Sequence, residues 1–326
     1  MTILTIDGGT TNTRLYRMEN GEIKAVHKRA VGIRDTLKPE GKQRFLAVVS
    51  SAISVLAAGG QPPEAIVCSG MIGSETGLYN CPHVSAPVAF TELAKAMVPV
   101  ALPEISALPF WFIPGVKTFS AIPFSASDVP LSTLAQMDIM RGEETELVGI
   151  CVRLGLTGAR AFVLPGSHMK TISLNDKGQI TTFHTSLTGE LLRAAAEHTI
   201  LQDSVGQVFP KAVDPAQLYR GYKLAETCGI TQALFKVRIL DKSIGGLSPE
   251  ELYAFLLGIL LQEDINHLIR AGHSVCIAGS APFRNAYQIL LSNSGIATEE
   301  IPPETADHAS AYGAWQMWCH RNNDME

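Results

Sequence analysis

One pattern occurs twice in this chain of 326 residues and constrains its fold more than any other feature. An apolar run enters a loop of small and polar residues; a second β-rich run, a glycine-containing turn and a third β-rich run follow. In the first copy Thr2–Ile6 ends at Asp7-Gly8-Gly9-Thr10-Thr11-Asn12, Thr13–Met18 comes next, and Asn20-Gly21 separates it from Glu22–His27. Asn-Gly between two such runs predicts a type I′ hairpin, because both residues accept positive φ. In the second copy Phe162–Leu164 ends at Pro165-Gly166-Ser167-His168; Lys170–Leu174, the turn Asn175-Asp176-Lys177-Gly178 and Gln179–His184 follow. The copies share little sequence identity, so the repeat is one of architecture, and the length fits two domains.

Elsewhere the apolar spacing is helical. Phe45, Leu46, Val49, Ile53 and Leu56 predict a helix over Lys42–Ala58, stopped by Gly59-Gly60. Ile66–Cys68 reads as a buried strand opening into Ser69-Gly70-Met71-Ile72-Gly73-Ser74, and Asn80 to Pro130 is dotted with prolines and reads as loop and sheet edge. A helix is predicted from Asp138 to Leu154, interrupted at Gly142, with others over Glu190–His198, Pro215–Thr227 and Ala306 to His320. A long one runs from Ser248 to Gly272, with Ser248 as N-cap, Pro249 in the first turn and Glu251 completing a capping box. Val275–Ala278 is a buried strand leading into Gly279-Ser280-Ala281-Pro282.

Composition excludes several jobs. A net charge of −5, a pI near 6.0 and no basic run longer than His27-Lys28-Arg29 give no electrostatic basis for holding nucleic acid or an anionic membrane. No stretch approaches the ~20 apolar residues that span a bilayer. Met1-Thr2-Ile3-Leu4 carries no basic leader and Asp7 interrupts the apolar run, so no signal peptide is expected. The six cysteines are widely spaced with no CxxC pair, and the nine histidines show no metal-ligand spacing. Free thiols in a reducing, cytoplasmic setting are expected.

Four constellations could carry chemistry. Glycines after a strand let backbone N–H groups approach an anion, and Thr10, Thr11 and Asn12 add neutral donors. Asp7, at the strand's end, can hold hydrated Mg²⁺ beside phosphates. This is neither a Walker A loop nor GxGxxG; an ordinary polar hairpin loop is the alternative. Gly166-Ser167-His168-Met169-Lys170 stands at the matching place, so two such loops can grip a triphosphate from both sides, with Lys170 supplying positive charge; solvated turn residues are the alternative. Asp138, before Arg141-Gly142-Glu143-Glu144, reads either as an N-cap or as a carboxylate taking the proton of an attacking hydroxyl. Gly279-Ser280-Ala281 lets a flat adenine ring lie on the backbone, or is a plain strand–helix junction. Gly32-Ile33-Arg34-Asp35 and Ser69 to Ser74 are loops that could line a substrate pocket.

Together these residues resemble the sugar kinase/actin/Hsp70 superfamily. More closely, Asp7 to Arg14, Ser69 to Ser74, Asp138 to Glu146, Leu164 to Lys170, Thr188 to Leu191 and Ile277 to Pro282 resemble the 2-dehydro-3-deoxygalactonokinases, with Met140-Arg141-Gly142-Glu143-Glu144-Thr145 the most specific stretch. Ser167 stands where this family more often has Thr, and Gly8 where a bulkier residue is frequent. The resemblance implies a duplicated, ribonuclease H-like α/β fold. Residues 1–137 would form one lobe and 138–326 the other, with the last helix free to return to the first. It also implies transfer of the ATP γ-phosphate to the 6-hydroxyl of 2-dehydro-3-deoxy-D-galactonate in galactonate catabolism. Asp7 would organise Mg²⁺; Gly8, Gly9, Thr10, Thr11 and Asn12 would face the β/γ-phosphates; Gly166, Ser167 and Lys170 would form the second phosphate loop; Gly279 and Ser280 would border adenosine. Asp138 is the expected base, with Asp35 and Asp128 as fallbacks. Arg34 or Arg141 would pair with the sugar acid's carboxylate, and Met71, Ile72, Gly73 and Glu143 would line its pocket. A homodimer is common among such enzymes. The competing readings are a kinase for another sugar or sugar acid, a phosphohydrolase of the same superfamily, a sugar sensor that lacks the usual basic helix-turn-helix, and an actin-like filament protein.

Overall fold

A computed structural model describes residues 1–120, 124–206, 210 and 212–323. The chain divides into two compact units: Met1–Gly158, Leu174–Thr182 and Glu304–Glu326 form the first, Ala159–Ser173 and Phe183–Pro303 the second.

The first unit is organised by β1 (Thr2–Gly8), which pairs antiparallel with β2 (Thr13–Glu19) and parallel with β4 (Ile66–Gly70). Ile3, Leu4 and Ile6 are fully buried and so, nearly, are Thr2 and Thr5, the pattern of a strand covered on both faces. β2 turns into β3 (Glu22–Arg29) through Asn20 (φ 49°) and Gly21 (φ 84°), the hairpin that Asn-Gly predicts. The stretch after Asn80 contains short strands: β5 (Val84–Ser85), β6 (Val98–Val100), β7 (Phe110–Phe112), β8 (Val116–Lys117) and β9 (Ile139–Met140). The main sheet has the order β3-β2-β1-β4-β7-β6, and β5-β8-β9 form a small second one.

Helix α1 (Gly41–Ala57) lays Phe45, Val49, Ile53 and Leu56 on the sheet's core. It ends before the glycines expected to stop it. The buried Arg17 of β2 donates from Nη1 to Leu56 O (2.8 Å) and from Nη2 to Gln61 O (2.6 Å), while Nε reaches Glu19 (2.7 Å). A cation on the terminal carbonyls is the favourable complement of the helix dipole.

Helix α2 (Glu143–Leu154) starts five residues later than the periodicity predicts. Gly142 takes φ 114°, which few other residues adopt, and Ile139–Met140 upstream pair with β8. Asp138 therefore does not open a helix; its carbonyl and amide are bonded to Thr118 across that small sheet. α2 crosses the C-terminal helix Ala309–Asn323 at two glycines. A Cβ on Gly149 would lie 1.9 Å from Ala309 O, and one on Gly313 would lie 1.9 Å from Thr145 O, so the backbones touch. This crossing keeps α2 in the first unit and moves the division from 137/138 to Gly158/Ala159.

Another sheet is built from β10 (Arg160–Leu164), β11 (Met169–Leu174), β12 (Ile180–Ser186), β13 (Val275–Ile277) and β14 (Thr298–Glu300), in the order β12-β11-β10-β13-β14. That order repeats β3-β2-β1-β4-β7, the duplication expected of a ribonuclease H-like fold. Around it pack α3 (Thr188–His198), α4 (Pro215–Cys228), α5 (Pro249–Leu260), α6 (Gln262–Ala271) and α7 (Phe283–Asn293). Ser248 and Glu251 form the predicted capping box (3.2 and 2.7 Å), but the long helix bends by 49° between Leu260 and Gln262. Among the described residues no single helix is long and apolar enough to cross a membrane; the bent α5–α6 pair passes by length and composition, and α5 is buried from Leu252 to Leu260.

Candidate active site

The first unit gathers its chemistry where β1 and β4 end and α2 begins. Three glycines allow this. A Cβ on Gly8 would lie 2.5 Å from Ile72 Cβ, one on Gly70 would lie 2.8 Å from Gly8 O and 3.3 Å from Asp7 Oδ1, and one on Gly142 would lie 3.1 Å from Gly70 Cα. The helix start is thus brought against the strand end that carries Asp7.

Asp7 has a side chain 17% exposed and lies 3.7 Å from Arg14, its cross-strand partner. Burial pushes its carboxyl above the ordinary range; Arg14 and a hydrogen bond with Ser310 of the C-terminal helix oppose this, and Glu143 adds to it. Glu146, one turn into α2, is pushed to about 8 by burial and by the Asp7 and Glu143 charges. Glu144 is raised to about 7 by burial and Glu143, although it accepts from Gly142 N (2.7 Å) and Thr145 Oγ1 (3.0 Å). Glu143 accepts from Arg141 N at 3.0 Å. Four carboxylates thus gather at one helix N-terminus, where the dipole favours anions but their mutual repulsion does not.

Beyond Gly8, the loop Gly9–Asn12 is closed by Gly9 N–H donating to Asn12 O (2.9 Å), and Thr10, Thr11 and Asn12 are exposed. Ile33 and Arg34 donate their amides to Gly9 O (3.0 Å) and Thr10 O (2.9 Å), and Gly32 packs directly on the loop. Arg34 is therefore exposed beside the first loop.

Arg141 occupies a different place. Its Nη2 donates to Cys81 O (2.5 Å) and lies 3.2 Å from His83 Nδ1, and Nη1 is buried without a hydrogen-bond partner, next to Gly73. Burial, then Arg141 and Lys117, push the His83 imidazole down to about 4, so it is neutral at physiological pH. His83, Glu146 and Ser310 escape a reading by motif. Only Glu146 leaves a trace in the sequence, three residues after Glu143 on the same helix face.

Some expected site residues are placed otherwise. Ile72 is fully buried beneath Gly8 and fills core rather than lining a pocket, whereas Met71 is half-buried. Asp138 Oδ1 accepts from Ile139 N (2.7 Å). Of the fallbacks, Asp35 caps its own turn at Gly32 N (3.0 Å) and holds Lys38 (2.7 Å), and Asp128 accepts from Ser125 and Ser127.

In the second unit the loop Gly166–His168 is exposed. The first turn of α3 backs it: Glu190 N–H donates to Ser167 O (3.0 Å), and a Cβ on Gly189 would lie 2.1 Å from Gly166 O. Gly279 packs on Pro165, so Gly279 and the exposed Ser280 stand beside this loop, at the carboxyl ends of parallel strands β10 and β13. Lys170 departs from expectation. It is buried within β11, its ammonium donating to Thr185 Oγ1 and lying 5.7 Å over the Phe183 ring, because it falls on the covered face of the strand and not in the loop.

A family model described as 2-keto-3-deoxy-galactonokinase matches residues 7–317. The chain is 26% identical over 315 residues to a Rhizobium meliloti (strain 1021) protein named as a probable 2-dehydro-3-deoxygalactonokinase, covering 95% of each. It is 25% identical over 315 residues to the 2-dehydro-3-deoxygalactonokinase of Escherichia coli (strain K12), covering 94% of each. A crystal structure from Sinorhizobium meliloti that carries the same kinase name superposes with a TM-score of 0.78 at 24% identity, covering 97% of both chains. The two proteins share this two-unit α/β fold.

Proposed function

The chain belongs to the 2-keto-3-deoxy-galactonokinase family, and from that membership we propose that it phosphorylates the 6-hydroxyl of 2-dehydro-3-deoxy-D-galactonate with ATP, in the cytoplasm, during galactonate catabolism. The observation that carries the reading is the meeting, in one unit, of an exposed Gly-Thr-Thr-Asn loop with a carboxylate-bearing helix start. Phosphoryl transfer asks a protein chiefly to position its reactants and to neutralise charge.

In this reading the loop that opens at Gly8 and Gly9, where no side chain intervenes, faces the β- and γ-phosphates, and the side chains of Thr10, Thr11 and Asn12 hold them. Gly166 and Ser167 supply a second set of donors, and Gly279 and Ser280 border the adenosine. The substrate's 6-oxygen attacks the γ-phosphorus, the bond from that phosphorus to the bridging oxygen breaks, and ADP leaves. The hydroxyl proton passes to a carboxylate. Glu143 now has the better claim to that role than Asp138, since it and not Asp138 opens the helix beside Asp7.

The donor set suits Mg²⁺. Among the described residues no three His, Cys, Asp or Glu are grouped to hold a metal unaided, but Mg²⁺ usually takes one or two carboxylates and completes its shell with phosphates and water. Asp7, raised by burial and by a neighbouring Glu, is a carboxylate that a cation would relieve. Bound there, Mg²⁺ would neutralise the polyphosphate. Arg141, with Nη1 unpaired and Nη2 on Cys81 and His83, is the proposed partner of the substrate carboxylate, with Met71 and Gly73 beside it and Arg34 serving the first loop. A homodimer is the assembly expected by resemblance, and sedimentation would show it.

Release of ADP with 2-dehydro-3-deoxy-galactonate, set against its gluconate epimer, tests the function. Turnover with the galactonate and weak turnover with the epimer is the expected result; ADP release from neither overturns the reading.

A further inference from the structure

Asp264 is a buried carboxylate that the reaction does not use. It sits on α6, 1% exposed, and three hydroxyls converge on its Oδ2: Ser186 (3.0 Å), Thr188 (2.8 Å) and Tyr287 (3.2 Å). Burying a carboxylate costs several kcal/mol unless partners compensate. Here burial still outweighs the hydroxyls and raises its pKa. What that cost secures is a junction. Ser186 is the last residue of β12, Thr188 the first of α3, and Tyr287 lies on α7, so one oxygen ties three elements to α6.

The residues next in line reach the second phosphate loop. Gly189 follows Thr188 and lies so close to Gly166 O that no side chain fits, and Glu190 donates its amide to Ser167 O at 3.0 Å. A shift in where α3 begins is passed directly to the two residues whose amides and hydroxyl are offered to ATP.

We propose that Asp264, acting through Thr188, is a positioning residue for the second phosphate loop, holding the first turn of α3 against Gly166 and Ser167. This rests on the reading of that loop as an ATP site.

Thr188→Val keeps the shape and removes the hydroxyl; Thr188→Ser keeps the hydroxyl; Asp264→Asn removes the charge. A misplacement of about 1 Å can cost up to 10²-fold. Thr188→Val is therefore expected to raise KM for ATP by about tenfold, with KM for the sugar acid unchanged and Thr188→Ser restoring the wild-type value. Without nucleotide, amide exchange at residues 166–168 and 190 should speed up in Thr188→Val while exchange in the core strands does not. Unchanged KM for ATP in folded Thr188→Val, equal rises in both KM values, or failure of Thr188→Ser to restore would each overturn the proposal. Should Asp264→Asn not fold, the Thr188 pair decides alone. The two ideas separate cleanly: if ADP does not slow exchange at 166–168 in the wild type, the ATP assignment of the loop fails, whereas the nucleotide-free exchange result tests the positioning by itself.

Discussion

Gly149→Ala perturbs the crossing of α2 with the C-terminal helix, and its cost can be worked from the backbone. The added Cβ would stand 1.9 Å from Ala309 O and 2.9 Å from Gly313 N. Non-bonded heavy atoms settle near about 3.5 Å, so the helices must part by about 1.5 Å. Forcing extra volume into a packed contact costs about 1–3 kcal/mol. For a unit of this size each kcal/mol lowers Tm by about 2–4 °C, giving a fall of about 2–12 °C by calorimetry. The functional consequence follows from the neighbouring residue. Ser310, beside Ala309, hydrogen-bonds Asp7, so parting the helices loosens the carboxylate proposed to organise Mg²⁺. The Mg²⁺ concentration for half-maximal turnover should rise. Gly221→Ala is the control. Its Cβ would stand 2.0 Å from Phe255 O in a similar crossing of α4 with α5, so it should lower Tm without moving the Mg²⁺ titration. Gly313→Ala should match Gly149→Ala, and the double variant should cost less than the sum, because one separation relieves both clashes. A Tm for Gly149→Ala within about 1 °C of wild type would refute the packing argument; an unmoved Mg²⁺ titration despite a lowered Tm would refute the link through Ser310.

Arg141→Ala should raise KM for the sugar acid by about 10- to 150-fold, the loss of about 1.5–3 kcal/mol of charge-assisted hydrogen bonding, with KM for ATP nearly unchanged; the reverse pattern in initial-rate kinetics rejects the carboxylate role. Glu143→Gln should lower kcat by about 10²-fold or more, and Asp138→Asn should leave it near normal; the opposite ranking returns the base to Asp138. His83, held down to about 4, refuses a proton that the unfolded chain accepts below its ordinary 6.5, so it favours unfolding increasingly as pH falls from 6.5 to 4. The Tm of His83→Gln relative to wild type should rise as pH falls through that window, and a pH-independent difference would show that the imidazole takes up its proton in the folded chain as it does in the unfolded one.

How far the sequence discloses this molecule depends on how local each determinant is. The Asn20-Gly21 turn, the Ser248–Glu251 capping box and the two glycine loops are decided within a few residues, and the structure has them where the sequence places them. The start of α2 is not local. Helical periodicity from Asp138 onward is overridden because Ile139 and Met140 pair with Val116 and Lys117, more than twenty residues upstream. Lys170 and Ile72 were legible as members of a motif but not as buried side chains, since facing outward or inward depends on strand register and on a glycine opposite. Ser310 reaches Asp7 from the far end of the chain, and no spacing rule links residues so distant in sequence.

The return of Glu304–Glu326 to the first unit orders events on the ribosome. All of the second unit has been synthesised before the helix that packs on Thr145 and Gly149 exists, so the half made first is finished last. Until translation has passed Asn323, that flank of α2 stays open to chaperones. A stop falling between Pro303 and Ala309 would leave the later half whole and the earlier one unsealed.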